Sequence, residues 1–144
     1  MKLSTKSRYG TRLLVDLARN HSQGPIQIGD MSKRQNISVK YLEQIIRPLK
    51  KADLVNSVRG PKGGHFLARK AEKITLGEIV RLLEGQSEPV ECISKPEKCH
   101  MSDDCLVRLA WQEATRAFYE KLDNITIANL ADGSFHADKS IDEL

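Results

Sequence analysis

The chain has 144 residues, 40% hydrophobic and 29% charged, with a formal net charge of +4. That is enough to bury one real core plus an accessory element, and too apolar for a disordered chain. No apolar run approaches the roughly 18 residues of a membrane span, and the opening MKLSTKSRYG has no apolar signal region, so the expected compartment is the reducing cytoplasm.

The net charge conceals a division. Residues 1–70 carry 15 Lys or Arg against 4 Asp or Glu, whereas residues 71–144 carry 8 against 15. A basic half joined to an acidic half suggests that the first binds a polyanion, with nucleic acid as the leading partner, and that the second has another task.

In chain order, the first helix is expected from Ser4 or Thr5 to about Asn20, with Tyr9, Leu13, Leu14, Leu17 and Ala18 on one face. HSQGP is a turn, Ile26 and Ile28 alternate with Gln27, and Asp30 is placed to cap a short helix over residues 31–35. Asn36-Ile37 breaks that helix and Ser38 caps a third, in which Leu42, Ile45, Ile46 and Leu49 form a core stripe at i, i+3, i+4 and i+7. Pro48 inside this helix should remove one backbone hydrogen bond and bend its last turns. Two β-prone runs then flank RGPKGG, a turn rich in Gly and Pro that carries two cations. Thr75-Leu76-Gly77-Glu78 reads as a capping box opening a further helix with a stripe of Leu76, Ile79, Val80 and Leu83, closed by residues 85–89. A long pattern from about Asp103 to Leu122 carries Leu106, Leu109, Ala110, Ala114, Ala117, Phe118 and Leu122, a length and amphipathicity that suit packing against a second subunit. Residues 125–130 read as one more short helix.

The expected fold class is therefore mainly α with a small β-hairpin wing: a winged helix-turn-helix DNA-binding domain plus a long C-terminal dimerisation helix. The expected divisions are the DNA-binding domain at 1–84, a cysteine-bearing loop at 85–105, the dimerisation and terminal helices at 106–131, and a loose tail at 132–144.

A recognition helix needs an apolar face to seat it and a polar face aimed into the major groove. Residues 38–51 meet both demands. Ser38 and Tyr41 can donate to phosphate or base, Gln44 pairs with an adenine edge, and Lys40 or Arg47 with guanine or phosphate. Arg59, Gly60 and Lys62 form a basic wing tip whose glycines allow close approach, with Arg59 suited to the minor groove. Glu43 either accepts from a cytosine amino group or pairs with Arg47 at i,i+4, and these readings stand even.

All three cysteines, Cys92, Cys99 and Cys105, fall within ECISKPEKCHMSDDC, spaced Cys-x6-Cys-x5-Cys. Zinc sites favour close Cys pairs and four ligands, whereas iron–sulfur clusters tolerate wider spacing and a non-cysteine final ligand. An iron–sulfur site, a zinc site, redox thiols and no ligand all remain open on spacing alone. His100, Glu91, Glu97, Asp103 and Asp104, or a residue from a dimer partner, are within reach as a further ligand.

The series KLSTKSRYG, ISVKYLEQIIRPLKKADLV, SVRGPKGG, TLGEIV, the three cysteines, CLVRLAW and NITIANL resembles the IscR/NsrR/RirA/CymR family of bacterial winged-helix transcription regulators, with the nearest likeness to its IscR-type members. The likeness runs from residue 1 to about 131. It implies a homodimer whose long helices cross, double-stranded DNA with a palindromic operator as partner, and an iron–sulfur cluster on Cys92, Cys99 and Cys105, a 4Fe–4S form in preference to 2Fe–2S. It also implies DNA contacts from Ser38, Lys40, Tyr41, Glu43, Gln44, Arg59 and Gly60, with Glu43 selecting between operator classes; position 40, often Ser in such relatives, is Lys40. The histidine that completes 2Fe–2S sites in IscR-type proteins falls at Arg108, and the aspartate used by nitric-oxide-sensing relatives falls at Arg8. Arginine has no lone pair to offer iron, which leaves His100, a loop carboxylate or an exogenous species as the fourth ligand. The expected function is a dimeric regulator sensing iron–sulfur or iron status, oxygen or nitric oxide, and not an enzyme. The alternatives are a cluster-free, thiol-responsive repressor of the same family and, remotely, an iron–sulfur enzyme or electron carrier.

Overall fold

Ser4, in extended backbone, accepts a hydrogen bond from the Lys6 amide and opens helix α1 (Thr5–Arg19), in the computed structural model that describes residues 2–85 and 88–137. Leu13, Leu14 and Leu17 lie at most 1% exposed along its inner face. Helix α2 (Ile28–Gln35) begins three residues before the expected start. Gln27 occupies its N-cap position without a side-chain bond, and Asp30 stands inside the first turn, where its charge complements the positive helix end instead of capping it. Asn36 ends α2 in the left-handed conformation at φ 53°, which asparagine tolerates well.

Helix α3 (Val39–Lys51) is capped by Ser38, whose side chain accepts from the Tyr41 amide. Its four stripe residues, Leu42, Ile45, Ile46 and Leu49, are all buried, each contributing on the order of 2 kcal/mol of apolar transfer. Pro48 does not end the helix, which continues to Lys51. Strands β1 (Val55–Val58) and β2 (Gly64–Leu67) pair antiparallel, Val55 opposite Leu67 and Val58 opposite Gly64. The hairpin is tied to the body where Ile26 and His65 exchange backbone hydrogen bonds of 2.8 and 2.7 Å. Gly64, at φ 147°, is needed there, since a Cβ would come within 2.5 Å of the Ile26 carbonyl.

Helix α4 (Leu76–Glu84) shows only half of the expected capping box: Thr75 accepts from the Glu78 amide, but the Glu78 carboxylate pairs with Arg69. The complete reciprocal cap belongs instead to Thr126 and Asn129, at the start of α7 (Ile127–Asp132). Between them lie α5 (Glu91–Ser94) and α6 (Leu106–Asp123), whose 18 residues span about 27 Å.

One core holds these elements together, drawing Met31 from α2, Leu54 and Val55 from the approach to the wing, Ile74 and Ile79 around α4, and Ile127 from α7. The division expected at residue 106 runs through this core: α7 packs on α1, Ile127 is fully buried, and its amide donates to the Ile74 carbonyl at 2.9 Å. Arg19 closes the contact by donating to the carbonyls of Ala131 and Leu130. The chain thus leaves the head along α6 and returns to it in α7. Of the loop expected at 85–89, residues 86–87 lie outside the described residues, as do residues 138–144 of the expected tail.

Candidate functional site

The polar face of α3 is built by subtraction. With Leu42, Ile45, Ile46 and Leu49 facing inward, helical geometry turns Lys40, Glu43, Gln44 and Arg47 outward, and all four are exposed, as is the Ser38 cap. Tyr41 is half-buried at the edge of this face. Arg59, Gly60 and Lys62 are exposed at the wing tip. Among the described residues, none of Lys40, Arg47, Arg59 and Lys62 is ion-paired, and Glu43 does not bridge to Arg47. The α3 face and the wing tip therefore present cations whose charge no ion pair among the described residues neutralises. Gln27 donates to the Pro61 carbonyl at 3.2 Å and steadies the tip from the α2 side, a contact that no sequence spacing announces.

Half-buried His65 on β2 donates to or accepts from Ser57 at 2.7 Å. Burial lowers its pKa, Lys50 lowers it further, and Glu43 works in the opposite direction.

The N-terminus of α1 lies against the start of α3. The Thr5 and Tyr41 hydroxyls are 2.7 Å apart, and the Tyr9 ring meets the Tyr41 ring edge-on at 5.8 Å. Behind this pair, Glu84 at the end of α4 accepts hydrogen bonds from the Ser4 amide (2.7 Å), the Ser4 hydroxyl (2.8 Å) and the Ser7 hydroxyl (2.5 Å). Burial opposes ionisation of Glu84, yet the bonds from Ser7 and Ser4, with Lys6 nearby, prevail and hold its carboxyl below the usual carboxylate range. Ser4 and Ser7 at i, i+3 were readable as neighbours on a helix; their partner some 80 residues away was not.

The cysteine segment occupies three local settings. Cys92 is in α5, Cys99 follows a single 3-10 turn at Pro96–Lys98, and Cys105 is the N-cap of α6, its sulfur accepting from the Arg108 amide at 3.4 Å. All three thiols are free and partly exposed. The long helix starts three residues later than its pattern suggested because Cys105 takes the cap role and keeps Asp103 and Asp104 in the turn before it. Arg108 organises the segment: its Nε donates to the Cys92 carbonyl at 2.8 Å and an NH2 group to the Ser102 carbonyl at 3.4 Å. Glu91 pairs with Lys98 at 3.1 Å, a bond that, with Lys95 nearby, holds the Glu91 carboxyl below its usual range. His100 is exposed.

These residues suit an iron–sulfur cluster in kind but not in placement. Three thiols are the right donors, yet among the described residues no three His, Cys, Asp or Glu side chains converge on a point that could hold a metal. The guanidinium of Arg108 spans the segment instead.

Helix α6 is almost naked. Thr115 is its only buried residue, while Leu106, Val107, Leu109 and Trp111 are 79%, 64%, 51% and 46% exposed, and Ala110, Ala114 and Ala117 are exposed beside them. Its C-terminal half is docked on α4 by Arg81, which grips Asp123 through bonds of 2.7 and 2.8 Å and lies 4.5 Å from the Tyr119 ring centroid. Gly77 makes room for this grip, since a Cβ there would collide with the Asp123 carboxylate. Among the described residues no helix is long and apolar enough to cross a membrane.

Comparison with known proteins agrees with this architecture. A family model described as Rrf2, iron-dependent transcriptional regulator, matches residues 3–133. The chain is 48% identical over 130 residues to the protein rrf2 of Nitratidesulfovibrio vulgaris, covering 90% of this chain and 87% of that protein. It is 37% identical over 130 residues to the HTH-type transcriptional regulator IscR of Sodalis glossinidius, covering 90% of this chain and 78% of that one. The solved structure of CymR, the global cysteine regulator of Bacillus subtilis, superposes with a TM-score of 0.77 at 38% identity, covering 92% of this chain and 97% of CymR. The head with its hairpin is the winged helix of these regulators, and the chain belongs to the Rrf2 family of transcriptional regulators.

Proposed function

We propose that this regulator acts as a homodimer that reads a palindromic operator in double-stranded DNA, with its affinity set by the state of Cys92, Cys99 and Cys105. The observation that carries the reading is the exposed, unpaired cation set on α3 and the wing tip. Ser38, Lys40, Tyr41, Gln44 and Arg47 enter a major groove, Glu43 discriminates between sites by accepting from a base amino group, and Arg59, Gly60 and Lys62 follow the neighbouring backbone or minor groove. A second copy of the chain covers the apolar face of α6, because an aliphatic and indole surface of this extent is poorly tolerated in water. A two-fold pair of heads then matches two half-sites about one helical turn apart. The regulator works in the cytoplasm, where DNA and reduced thiols coexist.

The signal enters at the cysteine segment. Three thiols and the likeness to IscR support an iron–sulfur cluster there, one that would require the segment to close around it. A 4Fe–4S form is preferred over 2Fe–2S only because Arg108 stands where the 2Fe–2S histidine falls, with His100 the histidine at hand for a fourth position. When bound, such a cluster makes the segment responsive to iron supply, oxygen or nitric oxide. A second reading is a cluster-free regulator whose thiols are themselves the sensor, supported equally by the likeness to CymR.

Anaerobic purification with iron and sulfide analysis, followed by binding to a duplex selected by the protein from a randomised pool, separates these. Stoichiometric iron and sulfide, with affinity that changes on their removal, supports the cluster. An iron-free protein whose affinity changes on thiol oxidation supports the second reading, and affinity indifferent to both, or to Cys→Ser replacement, overturns the sensor role.

A further inference from the structure

Glu84 is the last residue of α4, yet its bonding partners all lie at the other end of the sequence. A single carboxylate oxygen takes the Ser4 amide, the Ser4 hydroxyl and the Ser7 hydroxyl. Ser7 is 2% exposed, so no water stands ready to replace that acceptor. Thr5, directly after Ser4, and Tyr9, two residues after Ser7, project from the same first turns of α1 and reach the opposite way, to the Tyr41 hydroxyl and ring. Tyr41 itself lies in the first turn of α3, where its amide is already engaged by Ser38. The α1 N-terminus is therefore clamped between a carboxylate on one side and the phenol of the recognition helix on the other. Nothing else among the described side-chain hydrogen bonds ties Tyr41 to the body.

We propose that Glu84 is a positioning residue for DNA recognition: by fixing the first turn of α1 it sets, through Thr5 and Tyr9, where Tyr41 stands at the start of α3. The inference rests on α3 being the DNA-reading helix. Glu84 touches no DNA. Its effect is to fix where the hydroxyl end of the half-buried Tyr41 ring stands, and removing it leaves Ser4 and Ser7 without their acceptor and the α1 end free to shift. The energetic consequence falls on sequence-specific binding, which needs the tyrosine in place, and spares phosphate attraction, which needs only charge.

The test uses the full-length protein, a duplex selected by the wild type from a randomised pool, and a shuffled duplex of equal length at the same salt. Glu84→Ala is expected to weaken binding to the selected duplex by about tenfold, the equivalent of 1.4 kcal/mol, and to leave binding to the shuffled duplex unchanged. Glu84→Gln, which keeps an acceptor oxygen, recovers most of the loss. Thr5→Val, a milder change that leaves the core intact, produces a smaller loss of the same kind, and it produces none in a Tyr41→Phe background because the coupling runs through that hydroxyl. Equal losses on both duplexes, no recovery by glutamine, or additive effects of Thr5→Val and Tyr41→Phe overturn the proposal. Arg59→Ala and Gln44→Ala report on the underlying reading separately. If both bind the selected duplex like the wild type, α3 and the wing do not read DNA; if they lose affinity while Glu84→Ala and Thr5→Val do not, only the positioning role fails.

Discussion

The Arg108 guanidinium donates to the backbone carbonyl of Cys92 at 2.8 Å across sixteen residues of chain, while the Arg108 amide reaches the sulfur of Cys105 at 3.4 Å. One residue of α6 thus joins the first and last cysteines of the segment without using either thiol as a ligand. The planar fork of arginine suits the task, since it presents several donors in fixed directions and carries no acceptor that needs satisfying.

Removing this tie should expose the thiols. Arg108→Ala is expected to raise the alkylation rate of Cys92 by several-fold, as local opening of the segment becomes easier. Arg108→Lys should behave alike, because a single ammonium cannot span the carbonyls of Cys92 and Ser102. Mass spectrometry of iodoacetamide-treated protein at fixed pH follows each cysteine separately. Wild-type rates in both variants would show that the tie does not control access.

The residues proposed to face DNA divide by role. Arg59→Ala should weaken binding to a selected duplex by about 1–3 kcal/mol and relax preference near the wing, whereas Lys40→Ala should lower affinity for all sequences and reduce the salt slope by about one. Glu43→Gln should raise affinity for poor sites more than for good ones, because removing the carboxylate removes a penalty on the wrong base. Titrations at two salt concentrations distinguish the three outcomes, and identical salt slopes for wild type and Lys40→Ala would take Lys40 off the phosphate.

His65 links the wing to pH. Its pKa is lower in the folded protein than in the unfolded chain, chiefly through burial, with Lys50 adding to the effect and Glu43 opposing it. The folded state therefore binds this proton less well, so the associated stability is complete above the ordinary histidine value of about 6.5 and is lost as pH falls below it toward the folded value. Hydrogen exchange of residues 55–67 should quicken between pH 7 and pH 5 relative to the rest of the head. In His65→Gln that extra acceleration should vanish, and its persistence would assign the pH response elsewhere.

Asp16 is 4% exposed and accepts from Arg34 at 2.9 and 2.7 Å and from Gln35 at 3.1 Å, fastening α2 to α1. Asp16→Ala leaves both partners without their acceptor and is expected to cost about 2–3 kcal/mol. Urea unfolding monitored by circular dichroism measures it, and a midpoint equal to that of the wild type would refute the estimate.

The bare face of α6 makes a prediction about mass. Leu109→Glu or Trp111→Glu places a charge on the exposed apolar strip and should shift the protein from dimer to monomer in sedimentation experiments, with specific DNA binding lost alongside it. A wild-type protein that already sediments as a monomer would remove α6 as the subunit interface.

Much of this molecule was legible in one dimension because its signals are local. The stripe Leu42, Ile45, Ile46, Leu49 buries as its spacing demands, Ser38 and Thr75 cap the helices they precede, and the turn RGPKGG separates two paired strands. The polar face of α3 follows from the same period, since a helix with one face buried has the other committed to solvent. Errors arose where two local solutions compete. Asp30, expected as the cap of α2, fell inside its first turn because the helix starts from Gln27, and the reciprocal cap written into Thr75–Glu78 was half dismantled when Arg69 took the Glu78 carboxylate.

The sequence by itself determined the longer helices, the wing, the basic face of α3 and the presence of three thiols in one short segment, because periodicity, capping and charge act over a few residues. Only the tertiary structure decided that α7 closes the core of the head, that Glu84 receives the N-terminus of α1, and that Arg108 lies across the cysteine segment. Those three facts are contacts between residues far apart in the chain, and their partners are selected by which surfaces the folded core brings within hydrogen-bonding distance, a choice that no local pattern encodes.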